Sequence, residues 1–224
     1  MKLLTLLTAV TGALAAPSLS TRQQEQQRDF FFRFIGAGPI ASDRLRTNTS
    51  SLDFISPGWT APPHNDADHF ARLYPDGPAT KCARTTLLVV PTHPHPPPVP
   101  GYYGLTDREG IFPAGDAYRL VYTYRLEEQG PGFKYTAWWF RKTQGEGDTF
   151  TRALLRYAGL PEKDWKWVAV KTETPAGVEK WVPYLVKKTV TSWPAGLEVV
   201  DGVDVEVERA TGPVNSGAPG GVEE

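Results

Sequence analysis

Tryptophan supplies the side chains of this sequence that are best suited to recognise a ligand. The chain has seven Trp residues, and several fall in strand-like segments, where successive side chains point to opposite faces. Trp138 shares a face with Lys134, Thr136 and Phe140. Trp139 shares the other face with Phe133, Tyr135 and Ala137. This alternation predicts that Trp139 is in the core and that Trp138 lies on a mixed, partly solvated sheet surface.

The same alternation separates two other tryptophans from the apolar residues of their strands. Trp167 lies opposite Val168, and Trp181 lies opposite Val182. A flat indole beside polar side chains is a surface on which a sugar ring stacks, because an aromatic ring offers an apolar face of fixed shape. The candidate carbohydrate-binding residues are Trp138, Trp167, Trp181 and Tyr103. The alternative is that both sheet faces are covered and that these aromatic side chains belong to the core.

Carboxylates would decide whether such a surface also cleaves a glycosidic bond. Cleavage needs a proton donor and a base or nucleophile, about 5–10 Å apart across the bond. Asp204, Glu206 and Glu208 alternate with valines, which predicts three carboxylates on one face of the last strand. We interpret them as a solvated, charged edge that opposes aggregation. No acidic pair stands out, so the enzyme hypothesis, a carbohydrate-active hydrolase or lyase, is left open.

The densest polar cluster spans residues 64–69, with the sequence HNDADH. Imidazole and carboxylate groups this close together could bind a divalent metal ion. The candidate metal ligands are His64, Asp66, Asp68 and His69. Their spacing matches no recognised metal motif, and Asn and Asp residues that follow two prolines usually form turns. We therefore expect no cofactor unless this cluster binds a metal.

The N-terminal residues have the three parts of a cleavable secretory signal. Lys2 provides the positive start, residues 3–14 an apolar run, and residues 13–15 a small-residue A-x-A site. We therefore expect a secreted, extracellular protein. The run is too short to span a membrane, and no later stretch reaches the ~20 apolar residues that a membrane helix needs. Asn48 begins an N-x-[ST] sequon and is the candidate glycosylation site.

Charge and cysteine content narrow the classes of partner. The chain has 24 basic and 25 acidic residues, for a net charge of −1. This balance provides no field that would hold a polyanion, so we expect no nucleic-acid partner. Cys82 is the only cysteine, so an internal disulfide is excluded. We interpret Cys82 as a small buried hydrophobe rather than a reactive or bridging thiol, and expect a monomer.

The organisation of the chain follows from its composition. Residues 1–16 are the expected signal peptide, and the Gln-rich residues 17–28 predict a flexible leader. Residues 210–224 have too few apolar side chains to pack, which predicts a disordered tail. A single β-rich domain is expected over 29–209.

Within that domain, period-2 hydrophobic patterns predict most of the secondary structure. The predicted strands span 30–36, 69–74, 84–90, 118–126, 133–141, 165–172, 179–190 and 197–208. Turn residues at 129–132 and 174–177 predict two antiparallel hairpins. The proline-rich segment 91–117 predicts a long surface loop.

One helix is predicted after Asp148, which can act as its N-cap. Phe150, Leu154 and Ala158 follow at helical spacing, and Gly159 would end the helix. Together, these elements predict a mostly β fold: a two-sheet antiparallel β-sandwich of jelly-roll type with one short α-helix. A closed β-barrel around a small ligand is the alternative.

The secretory signal and the aromatic strand residues predict a secreted protein that binds or processes an extracellular polysaccharide through a Trp/Tyr-lined sheet surface. Extracellular carbohydrate is accordingly the expected partner. The alternative is a non-enzymatic secreted interaction protein, either a host-directed effector or a small-ligand-binding barrel.

Overall fold

A computed structural model describes eleven stretches of the chain. They are residues 30–36, 40, 45–47, 55–56, 72–75, 84–89, 101–108, 111–123, 125–147, 150–173 and 179–209. Strands dominate these stretches, and the one helix among them, α1, is the short Leu126–Gln129. The strands are β1 Phe30–Gly36, β2 Arg46–Thr47, β3 Ile55–Ser56, β4 Arg72–Pro75, β5 Leu87–Val89, β6 Gly101–Thr106, β7 Ala117–Thr123, β8 Trp138–Gln144, β9 Arg152–Tyr157, β10 Trp165–Glu173, β11 Glu179–Lys187, β12 Val199–Val200 and β13 Val203–Arg209.

The strands form two antiparallel sheets. The large sheet has eleven strands in the order β12-β10-β11-β7-β6-β5-β4-β1-β13-β9-β8, and β2 pairs with β3 in the small sheet. Over the described residues the large sheet ends at β12 and at β8 and does not close into a barrel. The mostly β prediction is therefore confirmed, the architecture is consistent with a β-sandwich, and the closed-barrel alternative is wrong.

Two isolated bridges join parts of the large sheet that are far apart in strand order. The Thr85 N–H donates to the Trp138 carbonyl oxygen at 2.8 Å, and the Trp138 N–H donates back at 3.0 Å. Leu105 and Lys134 exchange a similar pair of backbone hydrogen bonds. These bridges connect the start of β8 and the segment before it to the region of β5 and β6, so that the sheet folds over its own core.

The main core consists largely of aromatic and leucine side chains, with valines from β13. Phe32 of β1 lies opposite Val207 of β13, and Phe34 lies opposite Val205; all four side chains are fully buried. Fully burying a side chain of this kind stabilises the fold by roughly 1.5–3 kcal/mol. The buried side chains that alternate along β1 and β13 therefore stabilise this half of the fold.

A second apolar cluster covers the opposite face of β10 and β11. Its strand residues include Val168, Val182 and Tyr184, and the loops around Phe112 and Trp193 pack against them. Both faces of β10 and β11 are therefore covered. This finding favours the alternative that many of the aromatic side chains are structural.

The predicted hairpin between 165–172 and 179–190 is confirmed. β10 pairs with β11 in continuous antiparallel register from Trp165–Lys187 to Glu173–Glu179. The other predicted hairpin is wrong, because β7 pairs with β6 and β11 whereas β8 pairs with β9. The segment between β7 and β8 instead contains α1 and the stretch that bridges to Leu105.

Two further predictions about local structure are wrong. The predicted helix after Asp148 is the strand β9, whose Ala153 and Leu155 face the main core between β8 and β13. Hydrogen bonding to two neighbouring strands overrides a helical spacing that a few apolar residues happen to satisfy. The predicted loop 91–117 contains β6, which lies between β5 and β7.

Several expectations concern residues outside the described stretches. They are the signal peptide 1–16, the leader 17–28, Cys82 and the tail 210–224. In the part of the chain that the structure describes, no helix is long and apolar enough to cross a membrane.

Candidate functional site

The predicted carbohydrate-binding residues do not form one exposed face. Trp138 and Tyr103 are both 0% exposed, and the indole Nε1–H of Trp138 donates to the Tyr103 carbonyl oxygen at 3.0 Å. The predicted solvated position of Trp138 is therefore wrong, as is the core position of Trp139, which is half-buried. The reason is that Trp138 shares its face with Phe140, and this apolar pair fills the core.

The two other candidates lie in different surroundings. Trp181 is half-buried and packs against the main core from its margin. Trp167 is 3% exposed, so it is not part of an open sugar-binding face either. It does, however, form part of the wall of a pocket.

This pocket has a volume of about 190 Å³ and lies where β9, β10 and β13 approach one another. Its apolar and aromatic lining consists of Tyr157, Leu160, Trp165, Trp167, Leu185 and Val203. Its charged lining consists of Arg156, Glu162, Lys166, Lys188 and Asp204. The pocket therefore combines an aromatic wall with charged groups of both signs.

A tight turn between β9 and β10 places several of these residues. The Leu160 N–H donates to the Tyr157 carbonyl oxygen at 3.0 Å, which reverses the chain directly after β9. The Pro161 carbonyl oxygen then accepts from both Asp164 N–H and Trp165 N–H, at 2.9 and 3.0 Å. This compact turn holds Glu162 beside the end of β9 and starts β10 at Trp165.

The aromatic wall is fixed by contacts outside the pocket. The Trp167 Nε1–H donates to the Leu155 carbonyl oxygen at 3.1 Å. The Trp165 ring lies 5.4 Å from the Tyr118 ring, centroid to centroid, and the Lys187 ammonium lies 5.9 Å from the Trp165 centroid. Because these contacts fix both indoles, the wall has its shape before any ligand arrives.

Arg156 organises the charged side of the pocket. Its Nη1 and Nη2 donate to the two carboxylate oxygens of Asp204 at 2.7 and 2.6 Å. Nη1 also donates to the Leu155 carbonyl oxygen at 2.8 Å, and Nε donates to Glu162. The other carboxylate oxygen of Glu162 accepts from Arg141 at 2.5 Å.

These contacts hold Arg156 in its charged form. Burial of the guanidinium opposes the charge, but hydrogen bonds and Coulomb attraction from Asp204 and Glu162 outweigh burial and raise the pKa of Arg156 above its ordinary value. Arg156 therefore serves as a permanent cation that orients two carboxylates at the pocket.

The two lysines of the pocket differ in their surroundings. Lys166 forms an ion pair with Asp201 at 2.5 Å. Lys188 is exposed, and among the described residues its ammonium has no ion-pair partner. Its backbone N–H donates to the Asp164 carbonyl oxygen at 2.8 Å, which fixes its place at the pocket rim.

The carboxylates of the last strand are not the solvated edge that their alternation predicts. β13 lies inside the sheet between β1 and β9, and Glu206 is only 5% exposed. Glu206 pairs with Arg33 at 2.9 Å, and Glu208 pairs with Arg152 at 3.2 Å. The edge interpretation is wrong because arginines on both neighbouring strands neutralise this face.

The predicted ligand residues therefore meet the pocket at one position only, Trp167. Sequence reasoning missed Trp165, although its spacing from Trp167 places the two side by side on one face of the strand. It also missed Arg156 and Tyr157, because it assigned them to the predicted helix. The sequence signal that could have identified Arg156 is strand alternation over 152–157, which places Arg152 and Arg156 on the same face as Leu154.

The predicted metal ligands and the predicted glycosylation site belong to segments outside the described stretches. His64, Asp66, Asp68, His69 and Asn48 all lie outside the described residues. Among the residues that are described, no group of three or more His, Cys, Asp or Glu is placed to hold a metal ion.

No protein-family model, no curated protein and no solved structure matches this chain.

Proposed function

We propose that the protein binds a carbohydrate and that the pocket beside Trp165 and Trp167 receives one sugar ring. The observation that carries this proposal is the combination of a rigid aromatic wall and a fixed pair of carboxylates in one pocket. The pocket volume of about 190 Å³ is below the roughly 300–1,000 Å³ typical of sites for drug-sized ligands. A single ring is a suitable occupant for a space of this size.

Each kind of lining group matches a part of a sugar. The C–H groups of a pyranose contact the parts of Trp165 and Trp167 that line the pocket, which removes apolar surface from water. The hydroxyl groups donate to the carboxylate oxygens of Glu162 and Asp204, and hydrogen bonds to ionised acceptors are about twice as strong as neutral ones. The ammonium groups at the rim donate to hydroxyl oxygens.

The arrangement favours binding over cleavage. Glycoside hydrolysis places two carboxyl groups on either side of the scissile bond. Here Glu162 and Asp204 are both bonded to the same guanidinium, that of Arg156. They are therefore held as a pair of acceptors on one side of the pocket, which is the geometry of a binding site.

The proposal includes export of the chain, because the N-terminal pattern predicts a secreted protein and extracellular carbohydrate is then the accessible ligand. N-terminal sequencing of protein recovered from the medium would test this part. The expected mature chain begins near Ala16 or Pro17, and a cytosolic protein that retains Met1 would contradict export. Loss of a mass increment in Asn48→Gln would identify the glycosylation site.

Binding can be tested through the pocket tryptophans themselves. Titration with monosaccharides and short oligosaccharides is expected to change the intrinsic fluorescence of the protein and to raise its melting temperature, because a ligand that binds only the folded state stabilises it. Trp165→Phe should weaken binding several-fold, as expected for an aromatic contact worth about 0.5–1.5 kcal/mol. Glu162→Gln should weaken it as well, because it removes a charged acceptor.

Trp181→Phe is the matched control, since Trp181 is half-buried but does not line the pocket. Its binding should equal that of the unchanged protein. The proposal is wrong if no saccharide binds at millimolar concentration, or if Trp181→Phe weakens binding while Trp165→Phe does not.

A further inference from the structure

The charged groups around the pocket leave one positive charge without a counterpart among the described residues. The cations that line the pocket are Arg156, Lys166 and Lys188, and Arg141 is bonded to the pocket carboxylate of Glu162. The carboxylates that face them are Glu162, Asp201 and Asp204. Every one of these carboxylates is bonded to Arg141, Arg156 or Lys166, so the charge left over is that of Lys188.

We propose that the ligand is an acidic sugar, a ring that carries a carboxylate as in a hexuronic acid, and that this carboxylate binds Lys188. The inference rests on the carbohydrate-binding function proposed above and specifies its substrate class. An ammonium at the rim of a pocket is a natural partner for a carboxylate, because a hydrogen bond between two ionised groups is shorter and stronger than a neutral one.

The other cations are poorly placed to receive that carboxylate. Arg156 already donates to Asp204, Glu162 and the Leu155 carbonyl oxygen, so little of its donor capacity is left. Lys166 would have to exchange its contact with Asp201 for the ligand. The Lys188 ammonium can donate to the carboxylate without breaking an ion pair within the described residues.

The position of Lys188 also suits a ring seated on the aromatic wall. Lys188 directly follows the end of β11, and its backbone is tied to the turn that carries Glu162 and leads into Trp165. A ring against Trp165 can therefore place hydroxyl groups toward Glu162 and a carboxylate toward Lys188. The acidic group then meets the ammonium of Lys188, and the hydroxyls meet the carboxylate of Glu162 on the neighbouring turn.

The experiment compares glucuronic acid, galacturonic acid, glucose, galactose and sodium acetate as ligands of the full chain at constant ionic strength. The uronic acids are expected to bind about fivefold more tightly than the neutral sugars, the difference expected when a neutral hydrogen bond becomes a charge-assisted one. Acetate should bind more weakly than either class. Raising the salt concentration should reduce the preference, because the rim is exposed and salt screens its charge.

Substitutions then test whether Lys188 causes the tighter binding of uronic acids. Lys188→Gln should bind uronic and neutral sugars equally, and Lys188→Arg should keep the preference. Lys163→Gln is the matched control, because Lys163 is an exposed lysine on the turn between β9 and β10 and does not line the pocket. It should behave like the unchanged protein.

The outcomes separate the two proposals. Equal binding of neutral and acidic sugars, with no effect of Lys188→Gln, would overturn the acidic-sugar inference and leave carbohydrate binding in place. Acetate binding as tightly as glucuronic acid would overturn it too, because the site would then recognise a carboxylate alone. Failure of every sugar to bind would overturn the carbohydrate-binding function itself.

Discussion

Arg156 holds Asp204 through two parallel hydrogen bonds, with Nη1 and Nη2 each donating to one carboxylate oxygen. The two residues come from the adjacent strands β9 and β13, 48 positions apart in sequence. Bidentate pairs of this kind specify geometry as well as attraction. The contact thus ties the charged side of the pocket to a central strand of the large sheet.

Replacing Arg156 by Leu should destabilise the protein. The side chain of Arg156 is 8% exposed, whereas those of Asp204 and Glu162 are 26% and 34% exposed. Removing one partner of a fully buried pair costs about 3–5 kcal/mol, and partial solvation of the carboxylates should reduce this to about 2 kcal/mol. Urea denaturation measures the change. Arg141→Leu, at an exposed pair with Glu162, should cost under about 1 kcal/mol, and an equal loss for both variants would contradict the central role of Arg156.

Trp138→Ala should be far more damaging than Trp139→Ala. Trp138 is fully buried, contacts the Tyr157 ring edge-on at 5.1 Å and donates to the Tyr103 carbonyl oxygen. Truncating such a side chain typically costs about 3–5 kcal/mol, whereas the half-buried Trp139 should lose much less. Thermal melts of the two variants would decide between this order and the reverse, which strand alternation alone predicts.

Gly104→Ala should destabilise the protein by steric overlap. Gly104 is buried in β6, and a Cβ added there would overlap the ring of Phe133. Inserting a methyl group into a packed site typically costs about 1–3 kcal/mol. The double variant Gly104→Ala/Phe133→Leu should recover part of the loss in denaturation experiments. If it is no more stable than Gly104→Ala, the overlap with Phe133 is not the cause.

Alkaline pH should destabilise the fold through buried tyrosines. Burial raises the pKa of Tyr184, although Arg119 opposes this effect, and burial also raises the pKa of Tyr157 despite hydrogen bonds to Thr136. In the unfolded chain a tyrosine ionises near pH 10. The stabilisation is therefore complete below about pH 10 and is lost as the pH rises through the folded-state pKa.

Each such tyrosine contributes a slope of at most about 1.4 kcal/mol per pH unit in that window. Melting temperatures measured from pH 9 upward should fall, and Tyr184→Phe should make the decline shallower. An unchanged slope in that variant would contradict the assignment. Absorbance at the phenolate band should show ionisation of these residues above pH 10.

Strand alternation in the sequence correctly located β1, β10 and β11. In these segments the period-2 pattern and the neighbouring turn residues act over a few positions, so that local sequence is sufficient to specify a strand. The β10–β11 hairpin was predictable for the same reason, because its two strands are close in sequence and can pair only with a short connection between them.

The identity of β9 depended on contacts that a local pattern does not contain. Phe150 and Leu154 have a spacing compatible with a helix, but pairing with both β8 and β13 buries Ala153 and Leu155 as strand residues. Similarly, the prolines before β6 obscured a strand that lies between β5 and β7. Propensity is a weak prior that tertiary pairing overrides.

The sequence by itself determined the mostly β character of the chain, the alternation along its strands and the side-by-side placement of Trp165 and Trp167. Only the tertiary structure decided that Trp138 is buried, that β13 is a central strand and that Arg156 meets Asp204 beside those two tryptophans. Alternation tells which side chains share a face, because it follows from backbone geometry. Which face is buried and which strands become neighbours depend on pairing between distant segments, and the pocket exists only where those segments meet.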